Sequence, residues 1–265
     1  MNSHSSIHEL PFVSIIVPTF NQSQWIAYTL DNILEQNYPH FEVLVIDAHS
    51  TDRTVPIVQS YESKQIHIFQ TGASGYCEMI NKGISHAKGT YFNILPPPTV
   101  YLIPEAILVA MRLALEHQLP ELIYGASRYQ EGTLEPKVLY GNIDAKTLSK
   151  GEEPTSLSAC WIKREWISEV GKLSTAYSTK GSFEWLCRCE RHQNFTSSRT
   201  SRVLVDCLIS HQTGGSIIRE FREIFLIIKL HYGFFSAIKW LFIQNDLRKY
   251  CTYLRRRIKQ ALIAP

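Results

Sequence analysis

Two short runs of apolar and β-branched residues dominate the start of the chain. The first covers residues 12–21 and the second residues 41–54, and each ends in turn-forming, polar or acidic residues. Such runs are typical of buried parallel strands that deliver a ligand site at their carboxyl ends. Between them, residues 24–36 have the apolar spacing of a helix. The pattern predicts a β-α-β unit whose two strand ends open onto one crevice.

The alternation of strands and helices continues through about residue 125. The expected elements are a helix over 50–61, a strand over 66–69, a helix over 76–87, a strand over 91–95, a helix over 104–117 and a strand over 122–126. This order predicts an α/β fold with a mostly parallel central sheet flanked by helices. Less regular elements follow: strands over 159–162 and 203–209, helices over 164–170 and 183–192, a loop over 210–216 and a helical segment from 217 onward.

Three consecutive prolines, Pro96, Pro97 and Pro98, follow the strand expected over 91–95. Proline has no backbone N–H and cannot continue a strand ladder or a helix interior. We therefore expect the chain to leave the sheet here as a rigid, extended segment.

Composition narrows the class of protein. The 265 residues are 45% apolar and 19% charged, which suits a full hydrophobic core and argues against disorder. The six cysteines have no metal-binding or redox spacing, so reduced cysteines are expected. Residues 1–10 lack an apolar signal segment and no window is apolar enough to span a bilayer. These features favour a flexible N-terminus and a cytoplasmic location.

The net charge of +3 is unevenly distributed along the chain. From Arg219 onward there are ten Lys and Arg residues against three Asp and Glu, and apolar, aromatic stretches precede a basic run over 248–259. A basic, amphipathic helical extension over 217–265 predicts peripheral binding to an anionic membrane surface, on its inner face. Packing of the helix on its own domain is the alternative. Nucleic acid is not an expected partner, because no reading module accompanies the basic run.

The two strand ends carry side chains suited to a nucleotide. Asp47 is placed to accept a hydrogen bond from a base N–H or a sugar hydroxyl, and Phe20 to stack on a ring. In the alternative interpretation, Asp47 and Asp52 only cap the turns and the next helix.

Several segments resemble, in order, the motifs of the family 2 glycosyltransferases. They are residues 13–21, 30–36, 41–54, 75–84, 87–89, 170–171, 183–188 and, for the colanic-acid-type branch, 214–220. The resemblance implies a GT-A, Rossmann-like fold over residues 11–216. A nucleotide-sugar half is expected at about 11–125 and an acceptor half at about 126–216, followed by the helical extension.

The resemblance also implies the chemistry: inverting transfer of a sugar from a UDP-, GDP- or dTDP-sugar to a glycan or lipid-linked acceptor. An Asp or Glu deprotonates the acceptor hydroxyl, and a divalent Mn or Mg ion on a D-x-D-type motif neutralises the leaving diphosphate. The residues that match nucleotide-binding segments are Pro18, Thr19, Phe20, Asn21, Asp47, Asn81 and Lys82. For Asn81 and Lys82, the polar face of a helix is the alternative.

The chain departs from the family pattern at two positions. The proline run and Thr99 stand where the D-x-D-type motif is expected, so no carboxylate is available there to hold a metal. Gly181 and Ser182 stand where the catalytic acidic pair is expected. Glu184 is then the candidate general base, with an exposed charge on a helix face as the alternative.

Four basic residues lie in segments that the family places near the diphosphate: Lys180, Arg188, His211 and Arg219. A cation there would do part of the metal's work, so an active protein is expected to be metal-independent. For Arg188 an ion pair at the edge of the core is the alternative, and for His211 a loop position. Two hypotheses follow: a glycosyltransferase of polysaccharide or lipopolysaccharide biosynthesis, and a catalytically degenerate GT-A fold that binds nucleotides or glycans or acts as a scaffold.

Overall fold

The computed structural model describes residues 10–72, 75–131, 135–209 and 214–243. The strands are β1 (Val13–Thr19), β2 (Phe41–Asp47), β3 (Ile66–Gln70), β4 (Tyr91–Ile94), β5 (Val100–Tyr101), β6 (Leu122–Glu131), β7 (Lys137–Leu139), β8 (Cys160–Lys163) and β9 (Ser197–Ile209). The helices are α1 (Ile26–Leu34), α2 (Thr54–Gln59), α3 (Tyr76–His86), α4 (Ala106–Glu116), α5 (Ala145–Leu148), α6 (Trp166–Val170), α7 (Gly181–Arg191), α8 (Gly214–Tyr232) and α9 (Phe234–Ile243).

Within these ranges the strands form one nine-stranded sheet, in the order β3-β2-β1-β4-β8-β6-β9-β5 with β7 beside β6. β3, β2, β1 and β4 are parallel neighbours. β8 pairs antiparallel with β4 and with β6, and thereby joins the two halves of the sheet. The predicted α/β fold is confirmed, with a parallel first half and a mixed second half.

β1 and β2 are buried along their whole length because helices cover both faces of the sheet. Val13, Ile15 and Val17 point into one core with the apolar side of α1. Ile16 points into the other core, where α3 packs. A Cβ on Gly83 would lie 2.4 Å from a methyl carbon of Ile16, so only glycine lets α3 approach β1 this closely. This packing fixes the strand ends at which the site lies.

The three prolines form a tight turn, and the extended segment expected from the sequence is not observed. Thr99, the first residue after them with a backbone N–H, donates that proton to the carbonyl of Pro96 at 2.8 Å and closes the turn. The fixed φ of proline suits turn positions as well as extended ones. The chain does leave the neighbourhood of β4, and β5 pairs antiparallel with β9.

The C-terminal helices pack on the rest of the protein. Ile227 and Ile228 of α8 and Trp240 of α9 are buried in the same core as Phe183 of α7. Residues 214–216, expected as loop, already belong to α8. In the part of the chain that the structure describes, no helix combines the length and apolar character needed to cross a bilayer. The basic run over 248–259 and the N-terminal residues 1–9 lie outside the described residues.

Candidate functional site

The carboxyl ends of β1 and β2 are tied together by the carboxylate of Asp47. It accepts hydrogen bonds from the hydroxyl of Thr19 at 3.2 Å, from the backbone N–H of Ser50 at 2.9 Å and from the hydroxyl of Ser50 at 2.5 Å. Asp47 is fully buried. These bonds hold together the two turns of the predicted crevice, as the turn-cap interpretation expects.

A second set of bonds joins the same two turns at the surface. Asn21 has a left-handed backbone conformation, with φ of 51°, and its N–H donates to the hydroxyl of Ser50 at 2.9 Å. The side-chain oxygen of Asn21 accepts from the N–H of Thr51 at 2.8 Å. Between these bonded residues, the ring of Phe20 is 53% exposed, whereas Pro18 is buried. The crevice therefore presents one exposed aromatic ring on a rigid pair of turns, and the nucleotide contacts themselves stay a prediction.

A cavity of about 360 Å³ opens beside the crevice, where β4 ends. The proline turn and Thr99 form one wall of it. Tyr76 and Tyr129 contribute aromatic rings, and Lys180 and Glu153 contribute charges. Because β1 and β4 are parallel neighbours, the crevice and the cavity lie at the same edge of the sheet. A few polar groups and aromatic rings around one concave site are typical of small-molecule binding.

Lys180 is held at the cavity by two carboxylates. Its ammonium nitrogen lies 2.9 Å from a carboxylate oxygen of Glu153 and 3.8 Å from one of Glu220 in α8. The Lys180 side chain is 18% exposed. Of the candidate cations that the structure describes, Lys180 is therefore the one at the wall where metal ligands were expected.

The backbone that carries Lys180 is fixed by Glu223 of α8. The Glu223 carboxylate accepts from the backbone N–H groups of Ser178, Thr179 and Lys180 at 2.9, 3.0 and 2.8 Å, and from the hydroxyls of Ser178 and Thr179. Burial opposes ionisation of this carboxyl, but the hydrogen bonds from Thr179, Lys180 and Ser178 outweigh it and lower the pKa of Glu223 to about 2. Helix α8 is thus part of the site.

Glu184, the predicted base, lies in a buried ion pair on α7. Arg188 donates from Nε to its two carboxylate oxygens at 2.9 and 3.1 Å, and Nε2 of His231 lies 3.2 Å from one of them. Glu184 is 4% exposed, and it is absent from the lining of the cavity. Burial opposes its ionisation, but the bonds to His231 and Arg188 prevail and hold its pKa below the usual value. The exposed helix-face alternative does not describe Glu184, and this geometry favours a structural role over that of a base.

Two other predicted site residues also bond to the segment before α7. Arg188 donates from its terminal nitrogens to the carbonyls of Val170 and Lys172, both at 2.7 Å. The side-chain amide of Asn81 donates to the carbonyl of Leu173 at 2.8 Å and accepts from its N–H at 3.0 Å. Both side chains hold this segment in place. Their predicted contacts with a nucleotide sugar stay untested.

The remaining candidates are placed at the surface or fall outside the described residues. Lys82 is exposed on α3 and Arg219 is exposed on α8. His211 lies outside the described ranges, between β9 and α8. The nucleotide contact of Lys82 and the diphosphate contacts of His211 and Arg219 stay predictions.

The residues at the expected metal position do not fit a divalent cation. The three prolines offer no side-chain ligand, and Thr99 offers a hydroxyl where Mg²⁺ and Mn²⁺ prefer carboxylates. Across the described ranges, no three His, Cys, Asp or Glu side chains come together as a metal site. At the first position of the acidic pair, a Cβ on Gly181 would lie 2.4 Å from the sulfur of Cys77, so α7 packs too closely there for a larger side chain without a shift.

Several residues of the site were missed by the sequence analysis. Glu153 lies in a stretch to which the sequence analysis assigned no helix or strand, and Glu220 and Glu223 lie near the start of the helical extension. No motif points to them. The one available signal was the position of Glu220 and Glu223. Both precede the aromatic segment of the extension over 234–243, and only Asp246 follows it.

Solved structures share this architecture. Staphylococcus aureus TarS in complex with UDP-GlcNAc superposes with a TM-score of 0.68 at 17% identity, covering 83% of this chain and 66% of that one. A mannosyltransferase from Pyrobaculum calidifontis, PcManGT, in complex with GDP-Man and Mn²⁺, gives 0.61 at 16% identity and covers 96% and 82%. These likenesses show that the chain has the GT-A fold.

Sequence comparison matches part of the chain to a family. Residues 14–95 match the family model described as Glycosyl transferase family 2. A putative teichuronic acid biosynthesis glycosyltransferase of Bacillus subtilis, TuaG, is 36% identical over 88 residues, which are 32% of this chain and 35% of that relative. This part of the chain therefore resembles glycosyltransferase family 2. The match spans only about a third of the length of this relative, and the family model matches the half of the chain that contains the crevice.

Proposed function

We propose that the protein transfers a sugar from a nucleoside-diphosphate sugar to a hydroxyl group of a glycan or lipid-linked acceptor, with inversion and without a divalent metal. In this reaction the acceptor oxygen forms a bond to the anomeric carbon. The bond from that carbon to the β-phosphate oxygen breaks, and the nucleoside diphosphate leaves. The acceptor proton passes to a carboxylate of the protein.

The observation that carries this proposal is the adjacency of the crevice and the cavity at one edge of the sheet. The crevice offers the exposed ring of Phe20 on turns fixed by Asp47. The cavity offers two tyrosine rings, a lysine and a carboxylate. This arrangement suits a ligand with a flat base at one end and a polar sugar at the other. The neighbours whose complexes contain UDP-GlcNAc and GDP-Man support the same ligand class.

For the proton transfer we place Glu153 ahead of Glu184. Glu153 lines the cavity and its side chain is 32% exposed, so an acceptor hydroxyl can reach it. Glu184 is bonded to Arg188 and His231 inside the protein. A general base must lie within hydrogen-bonding distance of the proton it removes.

One observation favours a second candidate function, a degenerate member of the family that binds a nucleotide or glycan without turnover. The family is expected to have carboxylates at two positions. Tightly packed Gly181 occupies one of them and the proline turn the other, and neither supplies a carboxylate. Such a protein would retain the crevice and lose the reaction.

Calorimetric titration with UDP, GDP and dTDP, with EDTA and then with Mn²⁺, tests the proposal. We expect one of the three to bind in EDTA, and the corresponding nucleotide sugars to be consumed when glycan acceptors are added. Binding without consumption across donor and acceptor panels would support the degenerate alternative. Absence of binding by all three would refute a nucleotide-sugar ligand.

We also propose that the protein docks on an anionic membrane surface through the outer face of α8 and α9. We call this the basic–apolar face; its residues are Arg219, Arg222, Leu226, Lys229, Leu230, Phe235, Lys239 and Phe242. Steps of three or four residues relate neighbours within each helix, so each set lies on one side of its helix. Phe235 and Phe242 are 88% and 85% exposed.

Charge complementarity supports an anionic membrane as the partner of this face. Its four cations are exposed. The two acidic residues of the described range 214–243, Glu220 and Glu223, instead point inward and contact Lys180. Exposed aromatic rings beside Lys and Arg are typical of helices that lie in the headgroup region of a bilayer. Each cation near an anionic surface contributes about 1 kcal/mol to binding.

A further inference from the structure

We propose that the ammonium group of Lys180 takes the place of the family's divalent metal and binds the diphosphate of the donor. The inference rests on the proposed function, because it names the residue that receives the diphosphate in that reaction. It starts from a disagreement: the family implies a metal, and the residues at the metal position cannot hold one. A charge on the leaving diphosphate still has to be balanced.

Lys180 is positioned for this role by the backbone on both sides of it. The bonds from Glu223 fix the turn before it, and α7 begins at Gly181 directly after it. The N-terminus of an eleven-residue helix favours an anion nearby. The Lys180 side chain reaches the same cavity as the proline turn, which is where the expected motif would have held its metal. A tethered cation therefore stands beside the wall from which the metal ligands are missing.

The two carboxylates beside Lys180 act as its counterions while no donor is bound. Glu153 and Glu220 lie 2.9 and 3.8 Å from the ammonium nitrogen. Lysine is a point charge on a flexible stem and can exchange one anionic partner for another. Phosphate oxygens would displace Glu153, and the released carboxylate is the group that we assign to the acceptor proton.

With this exchange of partners, the bonds, protons and charges of the reaction balance. When the bond from the anomeric carbon to the β-phosphate oxygen breaks, its electron pair stays on the phosphate. The ammonium group of Lys180 compensates the added charge. The acceptor proton goes to Glu153, which becomes neutral. No oxidant, reductant or further ion is needed.

Binding of nucleotides to the full chain in EDTA tests the assignment. The comparison uses UDP, GDP and dTDP against the corresponding monophosphates, which lack the β-phosphate. Lys180→Gln should weaken binding of the diphosphate about tenfold, the equivalent of about 1.4 kcal/mol, and should leave the monophosphate nearly unchanged. Lys180→Arg should retain most of the affinity. Lys172→Gln, an exposed lysine outside the cavity, is the matched control.

A second variant keeps the test independent of any damage to the fold. Glu153→Gln removes the carboxylate that competes with phosphate for Lys180, so it should strengthen diphosphate binding severalfold. In the Lys180→Gln background the same change should have no such effect. A purely structural ion pair would give weaker binding in both single variants.

The outcomes distinguish the role of Lys180 from the proposed sugar transfer. Equal diphosphate affinity of wild type and Lys180→Gln, or an increase above tenfold on adding Mn²⁺, overturns the role of Lys180 and leaves the proposed transfer standing. If the wild-type chain binds none of the three diphosphates, the proposed function fails and this inference fails with it. Loss of affinity in Lys180→Gln combined with a gain in Glu153→Gln supports the assignment.

Discussion

The carboxylate of Glu223 lies 2.8 Å from the backbone nitrogen of Lys180, although the two residues are 43 positions apart in the chain. This bond and its neighbours join α8 to the turn that starts α7. Helix α8 therefore fixes the backbone of a residue that lines the cavity. A substitution in α8 is expected to reach the site through this turn.

Glu223→Gln should lower the free energy of unfolding by about 2 kcal/mol, because a buried carboxylate with five hydrogen bonds becomes a neutral amide that cannot accept them all. It should also weaken nucleotide diphosphate binding by loosening the backbone of Lys180. Urea denaturation and calorimetry measure the two effects. Glu169→Gln, on an exposed carboxylate of α6, is the control and should change neither quantity.

The stability difference between wild type and Glu223→Gln should depend on pH. The folded-state pKa of Glu223, about 2, lies below the ordinary value of 4.5, so its contribution is complete above about pH 5 and is lost as the pH falls through the folded pKa. Denaturation at a series of pH values should show the two proteins converging between pH 5 and 2. A constant gap across this range would contradict the assigned role of the charge.

Asp47→Ala tests whether the turns at the ends of β1 and β2 hold a nucleotide. The variant leaves Thr19 and Ser50 without their buried acceptor, which should cost about 2 kcal/mol of stability. Nucleotide affinity should fall about tenfold, because the ring of Phe20 and the turn of Asn21 lose their fixed positions. Asp144→Ala is the matched control: Asp144 also bonds a backbone N–H, at the start of α5. If Asp47→Ala is destabilised and still binds nucleotide like wild type, Asp47 is only a turn cap.

Glu184→Gln separates a structural carboxylate from a catalytic one. We expect a loss of stability on the order of 3 kcal/mol, because Arg188 and His231 lose a buried partner. Nucleotide affinity should stay within twofold of wild type, since Glu184 does not line the cavity. Glu190→Gln on the same helix, where the carboxylate accepts from the hydroxyl of Tyr232, should cost less. Abolished turnover with unchanged stability would instead make Glu184 the base.

The first half of the fold could be predicted because its signals are local. β1 and β2 are short, fully buried and mostly apolar runs, and the polar residues that follow them mark the turns. The start of β9 was missed because Ser197 to Arg202 are polar and partly exposed, and no apolar alternation marks them. Their strand conformation comes from pairing with β6, a contact distant in sequence.

The chemistry of the site was less predictable for the same physical reason. A motif identifies residues that are close in sequence, whereas Lys180, Glu153 and Glu220 meet only after α7 and α8 have packed. Glu184 was the candidate base from the sequence, yet α7 is oriented so that its carboxylate contacts His231 of α8. Tertiary packing decided which carboxylate faces the cavity.

Membrane docking by the basic–apolar face is tested by Phe235→Ser combined with Phe242→Ser. Deleting everything after residue 218 would be a poor test, because it also removes Glu223 and the buried Trp240. Wild type should sediment with vesicles that contain phosphatidylserine and less with neutral vesicles, and added salt should weaken binding.

The double serine variant should lose most of this binding and keep its unfolding temperature, because both rings are at least 85% exposed. Val138→Ser with Tyr140→Ser, two exposed apolar residues near β7, is the matched control and should bind like wild type. Equal sedimentation of the double variant and wild type would refute docking by this face. A wild-type dimer that the double variant converts to monomer would show that a second copy of the chain covers it instead.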